Sequence, residues 1–390
     1  MRSPIMFVRT AFLGWVALIA ATPPGAMAAA PGYQLIASLH GSDGGLPFYG
    51  APAVDNSGNV YLATRVGGAN GAGAVVMVAP GQAPAVLHDF NSADGADPYG
   101  GVLYDQSTGR IFGTACEGGA YGYGVLFELD PGGAYQVLHD FDHANDGDCP
   151  IDAPTLDAEG NLYGVAYEGG GNSGGTIWEQ PAGGAFTVLH TFGGDFDGLN
   201  PVARLIRSKR GTLYGVTGGG GNGTIFSIIP GGAYATLHTF DPPNEGAVPE
   251  GFLTLDKAGN LYGTTSTGGS SGGGTVYKLA PDGSFTVIHA FAPDSGGTYP
   301  ASSVVLLKNK LYGTTSSYGD ADCSCGTVFA AGLDGSYTVL HAFTGYNGGH
   351  DGSAPYAGLS VGPHHYLYGD TYQGGTDAYG TVFQLKPPKR

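Results

Sequence analysis

The sequence predicts an all-β fold, a seven-bladed β-propeller closed by pairing of the N-terminal strand with the last blade. Three observations support this prediction. A strand motif that contains a histidine recurs with a period of about 50 residues. Three further short strands, separated by Gly, Asp and Asn turns, accompany the recurrences, and no helical periodicity is present. The first unit is a single strand, and the last unit lacks that same strand.

The N-terminal segment has the features of a secretory signal. Two arginines lie within its first nine residues, the apolar run Ala11–Ala21 follows, and Ala26–Ala28 offers small residues to a signal peptidase. The apolar run is shorter than the ~20 residues that a membrane span needs. We therefore expect residues 1–30 to be a cleaved signal peptide and residues 31–390 to form one propeller domain. The mature protein is expected to be secreted or periplasmic, without a membrane span and without a C-terminal anchor.

Composition narrows the class of partner. The formal net charge of −17 would repel the phosphates of nucleic acid, so a nucleic-acid partner is not expected. The 73 glycines are accompanied by 24 tyrosines and 18 phenylalanines, more aromatic residues than a disordered chain contains. The glycines therefore serve turns in a tightly folded protein, which we expect to be a monomer.

Each repeat contains four strand types. One is small and apolar, as in PYAGLSV from Pro355, and the next carries a tyrosine, as in NLYGT from Asn260. The third follows a glycine, as in GTVYKL from Gly274, and the fourth carries the recurring histidine. Four strands in a unit of 40–50 residues are typical of a propeller blade. The recurring histidines are His40, His88, His139, His190, His238, His289 and His341.

The two incomplete units predict how the ring closes. The N-terminal fragment Tyr33–His40 and the C-terminal fragment Pro355–Leu385 together contain the strands of one blade. Their pairing would close a seven-bladed ring and leave no open radial edge. A β-solenoid would not need complementary fragments at its ends.

The pattern NLYGTTSTGG…GTVYKLAPDGSFTVIHAF resembles the tandem repeat of exported bacterial proteins known as GloVer-type, or choice-of-anchor, repeat proteins. The resemblance covers residues 33–385. It implies a secreted or surface-attached β-propeller without an established shared activity. Many members of that family carry a C-terminal sorting tail, whereas residues 386–390 directly follow the final predicted strand here.

The recurring histidine is predicted to be structural. In the stretch SFTVIHAF, strand alternation would place Phe285, Val287, His289 and Phe291 on one face. Seven equivalent histidines on the outermost strands cannot form one active site. We expect each to bond a neighbouring backbone or hydroxyl group while its ring packs beside Val and Phe.

The connections between the fourth and first strands, and between the second and third, emerge on one face, which we name the upper face. The former connections carry an acid-glycine pair, which favours turns. The alternative is a ring of carboxylates around the channel that holds Ca²⁺ or a cationic ligand. The weak metal candidates are Asp142, Asp146 and Asp148, and no other cofactor is expected. The acidic residues of these pairs are Asp43, Asp94, Asp146, Asp197, Glu245, Asp294 and Asp351.

Tyrosines are frequent in the predicted upper-face loops. Flat aromatic rings beside carboxylates suit sugar rings, although ordinary packing between blades would also place tyrosines there. The ligand-binding candidates are Tyr99, Tyr121, Tyr123, Tyr167, Tyr318 and Tyr372, and the same loops contain Arg65, Tyr299, Tyr346 and Tyr356.

The catalytic candidates are weak. A histidine base, His143 or His350, could act with Glu117 or Glu168 as the acid. Arg204 replaces a small residue on an inner strand, where it would need an acidic partner.

Four cysteines remain to be placed in an oxidising compartment. Cys116 and Cys149 fall in neighbouring upper-face loops, so a disulfide between them is predicted. Cys323 and Cys325 could form a local disulfide, hold a metal or stay free, and the sequence leaves these alternatives open.

The leading functional hypothesis is an exported binding protein that takes a glycan or a protein partner on its upper face. A polysaccharide lyase or hydrolase with its site on the same face is the second hypothesis, and a purely structural surface component is the third. The sequence leaves open whether the protein is an enzyme.

Overall fold

The computed structural model describes residues 32–193, 196–292, 296–319, 323–345 and 350–388. These residues form seven antiparallel sheets of four or five strands, arranged as the blades of a propeller. The all-β, seven-bladed fold predicted from the sequence is therefore confirmed. The predicted signal peptide, Asp294 and Tyr346 lie outside the described residues.

The strands follow the order of the repeats. The first strand of the chain is β1 (Tyr33–Ser38). Blade 1 contains β2 (Ala53–Val54), β3 (Val60–Thr64), β4 (Ala74–Val78) and β5 (Ala85–Asp89). Blade 2 contains β6 (Val102–Tyr104), β7 (Ile111–Ala115), β8 (Val125–Leu129) and β9 (Tyr135–Asp140). Blade 3 contains β10 (Asp148–Pro150), β11 (Thr155–Leu156), β12 (Leu162–Glu168), β13 (Thr176–Gln180) and β14 (Thr187–Thr191). Blade 4 contains β15 (Leu199–Pro201), β16 (Ile206–Arg207), β17 (Leu213–Gly219), β18 (Thr224–Ile228) and β19 (Tyr234–Thr239).

The remaining blades repeat the same order. Blade 5 contains β20 (Thr254–Leu255), β21 (Leu261–Thr265), β22 (Thr275–Leu279) and β23 (Phe285–Ala290). Blade 6 contains β24 (Val305–Leu307), β25 (Lys310–Thr315), β26 (Thr327–Gly332) and β27 (Tyr337–Ala342). Blade 7 contains β28 (Ser360–Val361), β29 (Leu367–Thr371), β30 (Thr381–Leu385) and β1. The described helical turns are short: Gly41–Asp43, Pro242–Glu245 and Pro363–His365.

Blade 7 closes the ring in the predicted way. Its outermost strand is β1, which pairs antiparallel with β30 from Tyr33 opposite Leu385 to Ser38 opposite Thr381. The Tyr33 hydroxyl donates to the carbonyl of Asp351 at 2.9 Å, and the Tyr33 ring stacks on His341 of blade 6. The N-terminal strand therefore completes the last blade and also packs against its neighbour.

The inner strands meet closely around the axis. A β-carbon added at Gly50 would lie 1.5 Å from the backbone nitrogen of Gly101, and one at Gly100 would lie 2.3 Å from the Cα of Asp152. Only glycine permits such an approach between backbones. The glycines of blades 1 and 2 therefore set how tightly the first three blades pack at the centre.

A β-bulge between the third and fourth strands corrects one expectation. In blade 5, Val276 pairs with His289 but Tyr277 pairs with Val287, so Ile288 is an extra residue in β23. Since a bulge shifts the alternation by one residue, His289 points to the opposite face from Val287. The prediction that Phe285, Val287, His289 and Phe291 share one face is wrong. Phe285 contacts blade 4, whereas His289 and Phe291 contact Tyr337 of blade 6.

Candidate functional site

The recurring histidines, which we name rim histidines, join neighbouring blades. The His139 ring stacks on Phe186 of blade 3 with centroids 3.6 Å apart and planes 3° apart. Its Nε2 lies 2.7 Å from Oδ2 of Asp146, the acidic residue of the next acid-glycine pair. The other stacked pairs are His88–Tyr135, His190–Tyr234, His238–Phe285, His289–Tyr337 and His341–Tyr33.

These contacts give the rim histidines a structural role, although the polar partner differs from the expectation. Five of them pair with the acidic residue of the following acid-glycine turn, and His40 lies 2.6 Å from Asp377, so the partner is a carboxylate and not a backbone or hydroxyl group. Because these acids reach outward to the outermost strands, they do not form a ring around the channel. The pairs are His88–Asp94, His139–Asp146, His190–Asp197, His238–Glu245 and His341–Asp351.

The three metal candidates each have a partner within their own loop. Asp146 accepts from His139 and from the backbone nitrogen of Asp142. Asp142 accepts from the Asn145 side chain, and Asp148 lies 3.1 Å from Nδ1 of His143. Among the described residues, no group of three or more His, Cys, Asp or Glu side chains is placed to hold a metal ion. The Ca²⁺ ligand set that the sequence offered as an alternative is therefore not assembled among the described residues of this loop.

The upper face is formed by the two predicted sets of connections. Isolated bridges join them in five blades, among them Ala96 with Glu117 and Ser353 with Gln373. At the centre of this face, each inner strand contributes one equivalent residue, four positions before the residue that pairs with the recurring tyrosine or phenylalanine of the second strand. By strand register these residues are Tyr49, Tyr99, Ile151, Val202, Glu250, Ala301 and Tyr356.

Aromatic side chains cluster at the centre of the upper face. The Phe48 ring contacts four tyrosine rings, with centroids 4.2 Å from Tyr49, 5.5 Å from Tyr99, 5.0 Å from Tyr356 and 5.1 Å from Tyr372. All five rings are partly exposed. We name the set completed by Tyr167 the aromatic mouth; its members are Phe48, Tyr49, Tyr99, Tyr167, Tyr356 and Tyr372.

Blade 1 supplies two of these rings because its inner strand carries one extra residue. Pro47 lies against Gly380 as Pro98 lies against Gly73, so the two prolines occupy equivalent places. Tyr99 directly follows its proline, whereas Phe48 intervenes before Tyr49. The backbone nitrogen of Tyr49 donates to the carbonyl of Tyr99 at 3.1 Å, which fixes the insertion against blade 2.

Arg65 lies at the edge of the aromatic mouth with its charge already matched. Its guanidinium donates two hydrogen bonds to Asp97, Nε to Oδ1 at 2.7 Å and Nη2 to Oδ2 at 2.9 Å. The same group lies 4.0 Å from the centroid of Tyr99 and 5.1 Å from that of Phe48. The cation therefore rests on two rings of the mouth while a carboxylate neutralises it.

Glu250 is the one acidic or basic residue among the seven equivalent inner-strand positions. Burial raises the pKa of its carboxyl group to about 7, against an opposing hydrogen bond from Ser266. The Glu250 charge in turn helps burial to raise the pKa of three tyrosines from three other blades, Tyr49, Tyr167 and Tyr356. The carboxyl group is therefore within electrostatic reach of the aromatic mouth.

Arg204 was expected to need an acidic partner, and that partner is Asp152. Its backbone nitrogen donates to Oδ2 of the buried Asp152 at 2.9 Å. Burial raises the pKa of Asp152, and the Arg204 charge opposes that rise. The guanidinium lies 4.4 Å from the centroid of Phe252 on the next inner strand. Arg204 and Asp152 thus join the inner strands of blades 3, 4 and 5.

The structure does not assemble the predicted catalytic residues into one site. His143 is held by Asp148 and lies beside the Tyr123 ring, with centroids 5.2 Å apart. His350 is exposed, and Arg204 lies between the inner strands β15 and β16 of blade 4. Glu117 and Glu168 are exposed at the edge of the aromatic mouth, where they act electrostatically on Tyr99 and Tyr167.

The predicted ligand-binding tyrosines divide into two groups. Tyr99, Tyr167 and Tyr372 belong to the aromatic mouth. Tyr121 is 62% exposed and lines a shallow depression on the rim with His139 and Asp142. Tyr123 packs on His143, and Tyr318 is 42% exposed and forms an isolated bridge with Cys325.

Two disulfides lie in the upper-face loops. The predicted Cys116–Cys149 disulfide is present and joins the end of the second strand of blade 2 to the start of blade 3. Cys323 and Cys325 form the second disulfide, which decides among the alternatives that the sequence left open.

Sequence reasoning missed Phe48, Tyr49 and Glu250. The signal that would have found them is the position after the inner-strand proline, compared between units. Glu250 stands there after Pro249, where other units carry apolar or aromatic residues such as Ile151 and Tyr356. A single acidic residue at this position was visible in the sequence once the seven units were aligned.

The Gloeobacter/Verrucomicrobia repeat matches this sequence twice, over residues 25–222 and 217–390. The chain belongs to the Gloeobacter/Verrucomicrobia repeat family. The resemblance inferred from the repeat pattern is therefore confirmed. No curated protein is significantly similar in sequence to this family member.

Solved structures share the propeller fold of this family member at low sequence identity. The extracellular domain of a protein described as a one-component system from B. thetaiotaomicron is 12% identical, with a TM-score of 0.60. That match covers 90% of this chain and 39% of that protein, so the chain spans about two fifths of its length. An oligogalacturonate lyase from Vibrio parahaemolyticus is 10% identical, with a TM-score of 0.55 and coverage of 92% and 94%. An oligogalacturonate lyase in complex with manganese is 8% identical, with a TM-score of 0.57 and coverage of 88% and 91%. At these identities the likeness shows the fold alone.

In the described part of this Gloeobacter/Verrucomicrobia repeat protein, no helix has the length and apolar character to cross a lipid bilayer.

Proposed function

We propose that this protein is an exported binding protein that holds a carbohydrate at the aromatic mouth. The observation that carries the proposal is the convergence of six aromatic side chains, from four blades, beside one carboxyl group at the centre of the upper face. Five of these rings contact one another, Tyr167 acts electrostatically on Tyr49, and all six residues are partly exposed and so accessible to a ligand.

The chemistry of the aromatic mouth suits a sugar ring. The C–H face of a sugar is apolar and packs on flat aromatic rings, while its hydroxyl groups need hydrogen-bond partners. The tyrosine hydroxyls and the Glu250 carboxyl group supply donors and acceptors around those rings. Binding sites for small molecules commonly combine aromatic walls with a few polar groups in this way.

Export is supported by chemistry from two parts of the chain. Residues 1–30 have the charge and apolar pattern of a secretory signal. The two disulfides require an oxidising compartment, such as the periplasm or the exterior of the cell.

The carbohydrate proposal is tested by titration calorimetry with neutral oligosaccharides, selected first on a glycan array. Replacing Tyr99 or Tyr356 by alanine is expected to weaken binding about tenfold or more, because each ring is part of the central contact surface. Tyr121→Ala and Tyr318→Ala are matched controls, since both tyrosines are exposed outside the aromatic mouth. Binding by the Tyr99 and Tyr356 variants at wild-type strength would overturn the proposal.

A second candidate function is a polysaccharide-degrading enzyme, favoured by the raised pKa of Glu250. A carboxyl group whose pKa is about 7 is suited to proton transfer near neutral pH. The test is release of reducing ends or unsaturated products from a polysaccharide panel, with Glu250→Gln as the inactive comparison. Product formation that survives this substitution would exclude Glu250 as the acid or base.

A further inference from the structure

Glu250 gives the aromatic mouth a charge that a neutral sugar would leave unmatched. We propose that the mouth selects a sugar bearing a positively charged amino group, whose ammonium lies between the Glu250 carboxylate and the tyrosine rings. The inference rests on the proposed function and names the class of ligand for that same site.

The charges around the aromatic mouth favour a cation. Among the described residues, no basic side chain forms an ion pair with Glu250. Arg65, at the edge of the mouth, is neutralised by two hydrogen bonds to Asp97, and the Arg204 charge acts on the buried Asp152. The exposed Glu117 and Glu168 add negative charge at its edge, and the whole chain carries −17. A ligand with carboxylates, such as a uronic acid oligomer, would be repelled by this field.

The rings of the aromatic mouth already hold one cation. Arg65 lies 4.0 Å from the centroid of Tyr99 and 5.1 Å from that of Phe48, which are distances of a cation–π contact. Tyr49, Tyr167 and Tyr356 are partly exposed, and they are the tyrosines on which the Glu250 charge acts. An ammonium group between these rings and Glu250 would combine both kinds of attraction.

The Glu250 carboxyl group, beside the aromatic mouth, changes its ionisation near neutral pH. Its pKa is about 7 because of burial. The groups that face it are the hydroxyls of Ser266, Tyr49, Tyr167 and Tyr356, and burial raises the pKa of all three tyrosines above 10, so they stay neutral. A permanent cation should therefore bind more tightly as pH rises through 7.

The experiment compares three hexasaccharide probes on the full mature protein by titration calorimetry between pH 6 and pH 8. They are chitin hexamer (neutral), trimethylated chitosan hexamer (a charge that pH does not change) and oligogalacturonate (anionic). We expect the trimethylated probe to bind about tenfold more tightly at pH 8 than at pH 6, following the ionised fraction of Glu250. Chitin hexamer should show no such rise, and oligogalacturonate should bind most weakly.

Two comparisons keep the inference separate from the proposed function. In Glu250→Gln, the pH dependence and the preference for the trimethylated probe should both disappear. Asp97→Asn is the matched control, because it removes one negative charge beside Arg65. It should leave the rise in affinity for the trimethylated probe between pH 6 and pH 8 in place. Equal binding of the charged and neutral probes by the wild type would overturn the inference while supporting a carbohydrate site. Binding of tetramethylammonium without any hexasaccharide would support the cation site and overturn the carbohydrate proposal.

Discussion

At the scale of single residues, each described stacked rim histidine connects its blade to the next through a ring contact, and five of them also reach a carboxylate. Parallel stacking against a neighbouring aromatic ring buries apolar area between blades. The hydrogen bond to the carboxylate holds the following acid-glycine turn against the same rim. A rim histidine therefore stabilises both the sheet interface and the loop that begins the next blade.

The His341–Asp351 pair predicts a pH dependence of stability. Burial raises the pKa of Asp351, but hydrogen bonds from His341 and from the Thr344 backbone and hydroxyl outweigh it, so the net pKa is lowered. A carboxyl group whose pKa is lower in the folded state stabilises the fold above its unfolded pKa of about 4, and this contribution is lost as pH falls through the folded pKa. Asp351→Asn is expected to lower the free energy of unfolding by about 1–2 kcal/mol at pH 7 and to cost little at pH 2.5.

Urea unfolding at a series of pH values measures this difference. Asp377→Asn is the control, because Asp377 and its partner His40 have side chains 55% and 45% exposed, and such pairs contribute less than about 1 kcal/mol. A constant difference between wild type and Asp351→Asn across the whole pH range would contradict the prediction.

The rim histidines and Glu250 also show which features of single residues could not be predicted from the sequence. A repeated histidine indicated a structural role, because seven equivalent groups cannot make one site. Its carboxylate partner was not predicted, since a bulge, at Leu138 in blade 2, changes the face on which His139 lies. Glu250 was missed because a single acidic residue after a proline is ordinary until the inner strands bring the seven equivalent positions together.

At the scale of elements, the Cys116–Cys149 disulfide lies at a position where two other blades carry a tyrosine of the aromatic mouth. Cys116, Tyr167 and Tyr372 are equivalent, because each comes directly after the last residue of its second strand that pairs with the third strand. The disulfide therefore fixes the end of blade 2 to the start of blade 3 beside Tyr99 and Tyr167. This disulfide could be predicted from the sequence, because the order of strands in the repeat places both cysteines in upper-face loops.

Removing this disulfide should destabilise the propeller more than removing the other. Its cysteines are 33 residues apart, and the loop-entropy estimate for such a loop is about 3–4 kcal/mol. Cys323 and Cys325 are separated by 2 positions, so Cys323→Ser with Cys325→Ser should cost less than half as much. Guanidinium unfolding of the Cys116→Ser, Cys149→Ser double variant measures the effect. Equal losses from the two double variants would show that loop entropy does not govern these disulfides.

At the scale of the whole molecule, the fold was predictable because the repeat has complementary ends. Strand types, blade count and closure all followed from one period and two incomplete units. The arrangement at the axis did not, because it depends on which small residues allow inner strands to meet, as Gly50 meets Gly101. A tandem repeat thus specifies the architecture, whereas the exceptions to the repeat specify the candidate site.

Deletion of Tyr33–His40 should destabilise the entire molecule. Without β1, strand β30 loses its outer partner, and His341 loses the ring that stacks on it at 3.7 Å. We expect a cooperative loss of several kcal/mol, or failure to fold, since blade 7 could no longer close the ring. Differential scanning calorimetry of the deletion variant measures this.

Two point substitutions in β1 test its role in closing the ring without deleting the strand. Tyr33→Ala should lower the melting temperature clearly, because Tyr33 packs on His341, Phe343 and Phe383. Gln34→Ala should change the melting temperature little, because the Gln34 side chain is exposed and its described hydrogen bond is accepted from the Gln384 side chain. A deletion variant that melts like the intact chain would exclude ring closure by β1.

The pairing that closes the ring also fixes the orientation of the molecule relative to anything attached to it. The backbone nitrogen of Lys386 donates to the carbonyl of Gly32 at 2.9 Å, so the two ends of the described chain lie side by side. Strand β1 runs from this point toward the upper face, which places both ends on the side away from the aromatic mouth. A fusion partner, label or surface linked at either end would therefore leave the mouth pointing outward, open to ligands arriving from solution.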